Sequence, residues 1–279
     1  MSRAAIAGDI AGSRFEGSQW AGPTASARCV GAQWPSASAC IGETIAFEWF
    51  HRDAFPTDDT LLLLATMEWL LEGGDPARFL KAAFARAPRP ELFGRFFREW
   101  AARDDDPPCG SIGNGAAMRV APVACLATSR SEALEFAREN ALATHAAPDA
   151  VIGAQTVALG VFLAWHGASN AQIVAELSEL SGYDFDRSLD GWRDGYRFSS
   201  ACADTVPVAV RAFLEGSNTE EAIRGAVSVG GDTDTLACMA GALAEARWGV
   251  SDEVRRGVES ALDADSLATL RRFEAAFAG

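Results

Sequence analysis

Gly230-Gly231-Asp232-Thr233-Asp234-Thr235 opens the stretch GGDTDTLACMAGALAEARW at residues 230–248. The glycine pair lets the backbone turn tightly. Asp232 and Asp234 alternate across that turn, and residues 235–248 read as an apolar helix. Outward from this stretch the same pattern recurs. A polar start and helically spaced Leu and Met residues predict a helix over 60–71, stopped by Gly73-Gly74. Further helices are expected over 76–87, 90–103, 131–144, 149–167, 169–180, 205–215, 219–229 and 251–262. Runs that alternate long enough for strands are scarce. The expected fold is an all-α, compact, single-domain globule of many helices covering 1–279, with function carried on the connecting loops.

Composition narrows the function classes. The chain has 279 residues and is 49% hydrophobic, enough for a sizeable core. Acidic residues outnumber basic ones, 38 to 24, for a net charge of -14. Such a surface argues against a protein that grips the nucleic-acid backbone. It leaves phosphate-bearing ligands open, since bound cations reverse the local sign. The six cysteines form no CxxC pair, which removes the zinc-ribbon and thioredoxin readings. The N-terminus is a poor match to a signal peptide, and no apolar stretch is expected to reach the length of a membrane span. The expectation is a cytoplasmic protein. The segment 18–38, rich in Ala, Gly, Ser and Pro but carrying Trp20 and Trp34, reads as an ordered loop or mobile flap.

Four elements carry chemistry. Phe55-Pro56-Thr57-Asp58-Asp59-Thr60 precedes an apolar helix, and so does Asp232-Thr233-Asp234-Thr235. Either alone could be a helix cap, because Asp and Thr satisfy free N–H groups there. Two doubly acidic caps in one chain suggest carboxylates brought together. Packed like charges are costly unless a cation neutralises them, and carboxylate and hydroxyl oxygens suit hard ions such as Mg²⁺ or Mn²⁺. Gly110-Ser111-Ile112-Gly113-Asn114-Gly115 is the third element. Its small residues let backbone N–H groups approach phosphate oxygens, or simply form a packed turn. It is neither a P-loop nor a dinucleotide fingerprint. The fourth, residues 8–16, ends in Glu16, a carboxylate beside an irregular segment. His145 lies in a polar turn before a buried helix.

Together these segments resemble the ADP-ribosylglycohydrolase family. The resemblance runs in order through GDIAGSRFEG at 8–17, FPTDDT at 55–60, GSIGNGAAMRVAP at 110–122, THAAPDAVIGAQ at 144–155 and AVSVGGDTDTLACMAGALAEA at 226–246. It implies an all-α fold with a binuclear Mg²⁺ or Mn²⁺ centre at helix N-termini. It also implies hydrolysis of the glycosidic bond between ADP-ribose and an acceptor, on a protein or a small molecule. By the resemblance, Thr57, Asp58, Asp59, Asp232, Asp234 and Thr235 are metal ligands. Glu16 closes over the metals, with Glu16 or Asp59 handling the proton. Ser111, Ile112, Gly113, Asn114 and Gly115 cradle the diphosphate, and His145 lines the ligand site. Ile112 departs from the family pattern, which often has an aromatic there. The stretch 18–55 does not match and leaves the acceptor unassigned. An ADP-ribose-binding member without catalysis, and a crystallin-like structural member, are the alternatives; the complete Asp/Thr set weighs against both.

Overall fold

The structure, a computed structural model, describes residues 2–16, 47–103 and 108–277, with the backbone of the paired segments Ser18–Gln19, Arg28–Cys29 and Ala32–Gln33. The flap expected over 18–38 and the acidic triplet at 104–106 lie outside the described residues, apart from those paired segments. The described chain is almost wholly helical. In order the helices are α1 (Arg3–Ser13), α2 (Asp58–Glu72), α3 (Pro76–Arg86), α4 (Arg95–Ala101), α5 (Val123–Leu126), α6 (Arg130–Leu142) and α7 (Pro148–Trp165). They continue with α8 (Asn170–Ser181), α9 (Leu189–Arg193), α10 (Cys202–Glu215), α11 (Thr219–Val229), α12 (Thr233–Trp248), α13 (Asp252–Ala261) and α14 (Ala264–Phe277). Among the described residues, strand pairing amounts to two-residue ladders and the isolated bridges Cys109–His145 and Gly113–Ala201; Gly230–Gly231 pairs antiparallel with Ser18–Gln19.

Two helices make the centre. Every residue of α1 is buried, and every residue of α12 from Thr233 to Ala246 is buried too. They pack backbone to backbone along small residues spaced four apart, Ala4, Gly8 and Gly12 against Thr233, Ala237 and Gly241. A Cβ on Gly8 would lie 2.2 Å from the Ala237 carbonyl oxygen, one on Gly12 2.4 Å from that of Thr233, and one on Gly241 2.3 Å from that of Ala4. Only glycine permits this approach. Polar ties fix the ends: the Thr233 hydroxyl donates to the Gly12 carbonyl at 2.9 Å, and the Ala4 amide donates to Glu245 at 2.7 Å. Arg3 bridges to Glu259 of α13 and Glu274 of α14, anchoring the start of α1 to the last two helices.

Helix α1 is absent from the pattern-based reading. It has two internal glycines and no side-chain cap, so local propensity argues against a helix there. Tertiary burial overrides that preference. The single helix expected over 90–103 is also broken. Pro90–Leu92 forms a 3-10 turn, and the chain extends through Phe93 and Gly94 before α4 begins. Helix α10 starts at Cys202, three residues ahead of expectation, and carries Pro207 inside it. The expected set stopped at 262 and so omitted α14, whose inner face is only Thr269, Leu270 and Phe273.

Helix α7 is apolar on all sides and packs against α6, α8, α10 and α12. By length and composition it could cross a bilayer, contrary to the expectation that no stretch reaches that length; here 67% of it is buried inside the protein.

Candidate active site

The N-termini of α2 and α12 meet at one cleft of about 350 Å³. Glu16, Thr57, Asp58, Asp59, Asp232, Asp234 and Thr235 all line it, as do Ser111, Gly113, Asn114, Gly115 and His145. Sequence positions separated by more than two hundred residues are thus brought to a single wall. Ile112 is the exception: its side chain is half exposed and is not part of the lining.

Simple helix capping does not account for these carboxylates. Thr57 does cap α2, accepting from the Asp59 amide at 3.2 Å. Asp232, at the corresponding position of α12, makes no side-chain cap bond. Its Oδ2 instead accepts from the Asn114 side chain at 2.8 Å. Asp59 Oδ2 accepts from the Thr235 hydroxyl at 3.1 Å, while Asp59 Oδ1 is buried with no hydrogen-bond partner among the described residues. One carboxylate oxygen each from Glu16, Asp232 and Asp234 come within 4.8 Å of one another.

Sequence reasoning passed over the residue that organises this wall. Asp9, fully buried on α1, accepts from the Thr57 amide at 2.9 Å, the Thr57 hydroxyl at 2.7 Å and the Thr60 amide at 3.1 Å, and also from the Thr60 hydroxyl. The signal available was an Asp seven residues before Glu16 in a glycine-spaced segment, legible only once that segment is known to be a helix. Asp9 gives the Thr57 hydroxyl proton a destination. Asp59 does the same for Thr235, so both threonine oxygens keep lone pairs for another partner.

The electrostatics are those of an uncompensated acidic cluster. Burial, then the charges of Asp9 and its neighbours, holds the Asp58 and Asp59 carboxyls well above their usual range. Burial and then Asp232 do the same for Asp234. Burial alone raises Asp232, against the hydrogen bonds that lower it. Desolvation pushes Asp9 up to about 6. Glu16 is exposed at the rim, yet desolvation and the charges of Asp232 and Asp9 raise it too. Arg95 also lines the cleft but is already paired with Glu99 at 2.8 Å.

The glycine-rich loop is more occupied than the sequence suggested. The Gly113 amide donates to the Ser111 hydroxyl at 3.1 Å and the Asn114 amide to the Ser200 carbonyl at 2.7 Å, so neither is free for a phosphate. The Ile112 carbonyl accepts from the Cys202 amide at 3.0 Å. These bonds stitch the loop to the entry of α10, beyond the reach of local sequence patterns. Two exposed aromatics, Phe96 and Phe198, stand among the lining residues; neither belongs to a motif.

Comparison with known proteins agrees with this arrangement. A family model described as ADP-ribosylglycohydrolase matches residues 2–277. The chain is 32% identical over 187 residues to human ADP-ribosylhydrolase ARH3, a match covering 50% of this chain and 51% of that protein. It is 27% identical over 196 residues to the ADP-ribosylarginine hydrolase Tri1 of Pseudomonas putida, covering 67% of this chain and 52% of that one. These matches span about half the length of the curated relatives. A solved structure titled ADP-ribosylglycohydrolase-related protein complex superposes with a TM-score of 0.68 at 26% identity, covering 97% of both chains. The shared helical fold, the family model over nearly the whole length and the cleft-lining Asp/Thr motifs together place this chain in the ADP-ribosylglycohydrolase family.

Proposed function

We propose that this protein hydrolyses the glycosidic bond between ADP-ribose and an acceptor, using divalent cations held by the Asp/Thr cluster. The observation that carries the reading is the convergence of Glu16, the Asp58-Asp59 pair and the Asp232/Asp234 pair on a cleft that the 110–115 loop also lines. The residues fit the cations. The cluster is all hard oxygen donors, its carboxyls are held up by burial and mutual repulsion, and Asp59 Oδ1 is buried without a partner among the described residues. Thr57, Asp58, Asp59, Asp232, Asp234 and Thr235 would hold two Mg²⁺ or Mn²⁺. Bound there, such ions supply Lewis-acid polarisation of ligand oxygens and of water.

The chain's own residues divide the remaining work. Asp9 and Asn114 fix the orientation of Thr57 and Asp232. Glu16 is the exposed member of the cluster, and its carboxyl, raised by desolvation and by the charges of Asp232 and Asp9, suits a group that takes up and returns a proton. Asp59, buried and bonded to Thr235, is better placed to hold a cation than to carry a proton. The loop and His145 offer the remote wall on which a diphosphate would spend its binding energy.

The test is a panel of ADP-ribosylated arginine, serine and small-molecule acceptors, assayed for ADP-ribose release with Mg²⁺, with Mn²⁺ and with EDTA. Release that needs a divalent ion is the expected result. ADP-ribose binding without release from any acceptor would instead make the protein a binder.

A further inference from the structure

Arg119 lies directly behind the glycine-rich loop and is completely buried. It donates to Asn140 Oδ1 at 2.8 Å, the Asn140 carbonyl at 2.9 Å, the Gly115 carbonyl at 2.7 Å and the Thr144 hydroxyl at 2.8 Å. Every acceptor is neutral. Among the described residues this guanidinium has no carboxylate partner, although the protein as a whole carries a net charge of -14. Burial pushes its pKa down to about 9, which leaves it charged at neutral pH. A buried cation without a counter-ion is expensive, so its placement calls for a reason beyond packing.

The reason lies one residue further along. The Thr144 hydroxyl is 2.6 Å from His145 Nδ1. One of its lone pairs accepts from the guanidinium, and Nδ1 is the acceptor within reach of its single proton. No other acceptor for that proton exists among the described residues. The ring proton therefore sits on Nε2. Nε2 faces the cleft between Gly113 and Gly115: a Cβ on either glycine would lie 3.7 Å from it. Among the described residues Nε2 has no protein partner. Burial, and then the charge of Arg119, pushes the imidazole down to about 3, so the ring is neutral.

We propose that Arg119 is a positioning residue that acts through Thr144 to lock His145 as the Nε2–H tautomer, making it a hydrogen-bond donor to an oxygen of the ligand lying on the glycine-rich loop. The identity of that ligand rests on the ADP-ribose reading; the tautomer does not. Asn140 completes the device. Its amide donates to the Thr66 hydroxyl at 3.2 Å, and Thr66 donates to the Leu62 carbonyl at 3.0 Å. The relay is thereby braced against α2, the helix that bears Asp58 and Asp59.

The chain has three histidines, His51, His145 and His166. Full-length protein labelled with ¹⁵N at histidine, free of metal and ligand, resolves the ring nitrogens directly, and His145→Gln assigns the signals. The expected pattern at neutral pH is a neutral His145 ring protonated on Nε2. Thr144→Val should shift the ring toward the Nδ1–H tautomer, and Thr144→Ser should restore the original pattern. Arg119→Lys should behave as Thr144→Val does; if it fails to fold, the Thr144 pair decides. An Nδ1–H or doubly protonated ring in the wild type, or an unchanged tautomer in Thr144→Val, overturns the relay. Calorimetry with ADP-ribose in EDTA supplies the second readout. Thr144→Val should bind about tenfold more weakly, with Thr144→Ser close to wild type. Unchanged affinity alongside a changed tautomer overturns the ligand-facing role. No binding by the wild type either in EDTA or with Mg²⁺ would instead sink the ADP-ribose reading, while the spectrum still decides the relay.

Discussion

Asp9 Oδ1 accepts the hydroxyl proton of Thr57 at 2.7 Å, across 48 residues of chain. That bond and its three companions turn one carboxylate on α1 into the clamp that sets the N-terminus of α2. Asp58 and Asp59 come directly after the clamped residue, so their direction is fixed from behind.

Removing the clamp should therefore act on stability and on the site together. Asp9→Ala strands two buried amides and two buried hydroxyls, and should cost on the order of 3 kcal/mol. Chemical denaturation measures the loss, and Mg²⁺ affinity should fall in the same variant. A change within about 0.5 kcal/mol would mean that α2 is held by other contacts.

The seam between α1 and α12 makes a purely structural prediction. Gly8→Ala places a methyl group 2.2 Å from the Ala237 carbonyl oxygen, so the two helices must separate. Overpacking of this kind should cost roughly 3 kcal/mol and lower the melting temperature clearly. Gly94→Ala, where a Cβ meets nothing within 4 Å, is the matched control and should melt near wild type.

Glu16 is exposed, so its replacement should leave folding almost untouched. Glu16→Ala is expected within about 0.5 kcal/mol of the wild-type stability. Turnover should drop by roughly a hundredfold or more if Glu16 handles the proton. Wild-type turnover in this variant would end that assignment.

Asp234→Asn removes one charge from the oxygen cluster formed with Glu16 and Asp232. Mg²⁺ affinity by calorimetry should fall at least about tenfold, while metal-free stability should hold or rise because repulsion is relieved. Equal affinity in mutant and wild type would count against the site.

The same repulsion gives the metal-free protein a pH dependence of definite sign. Asp9 is raised from 3.8 to about 6 on folding, and Asp58, Asp59 and Asp234 are raised as well. The folded state therefore holds protons that the unfolded state releases, and this contribution to stability is lost as pH rises through the folded values. In EDTA, these groups make the protein less stable at pH 8 than at pH 5. Saturating Mg²⁺ should raise the melting temperature more at pH 8 than at pH 5. A melting temperature in EDTA that climbs steadily from pH 5 to 8 would contradict this account.

The sequence by itself determined the helical class, the helices with strong apolar period and the carboxylate and hydroxyl oxygens offered at 57–59 and 232–235. Those features are local: periodicity, caps and residue chemistry are written in neighbouring letters. Helix α1 was not legible, because its glycines speak against a helix until α12 is laid against it. Nor was the Gly94 break, where one helical pattern hides an extended joint. Asp9 and Arg119 lie inside the segments that carry the resemblance, but their roles show only through distant partners: Thr57 and Thr60, 48 and 51 residues from Asp9, and Asn140 and Thr144, 21 and 25 residues from Arg119. The letters of the glycine-rich loop left a phosphate cradle and a packed turn both open, and the bonds to Ser111 and Ser200 show two of its amides packed. Local chemistry decided which atoms this protein can offer. Only the packing of α1 against α12 decided which of them face the cleft, because burial and hydrogen-bond satisfaction are settled between segments that sequence order keeps far apart.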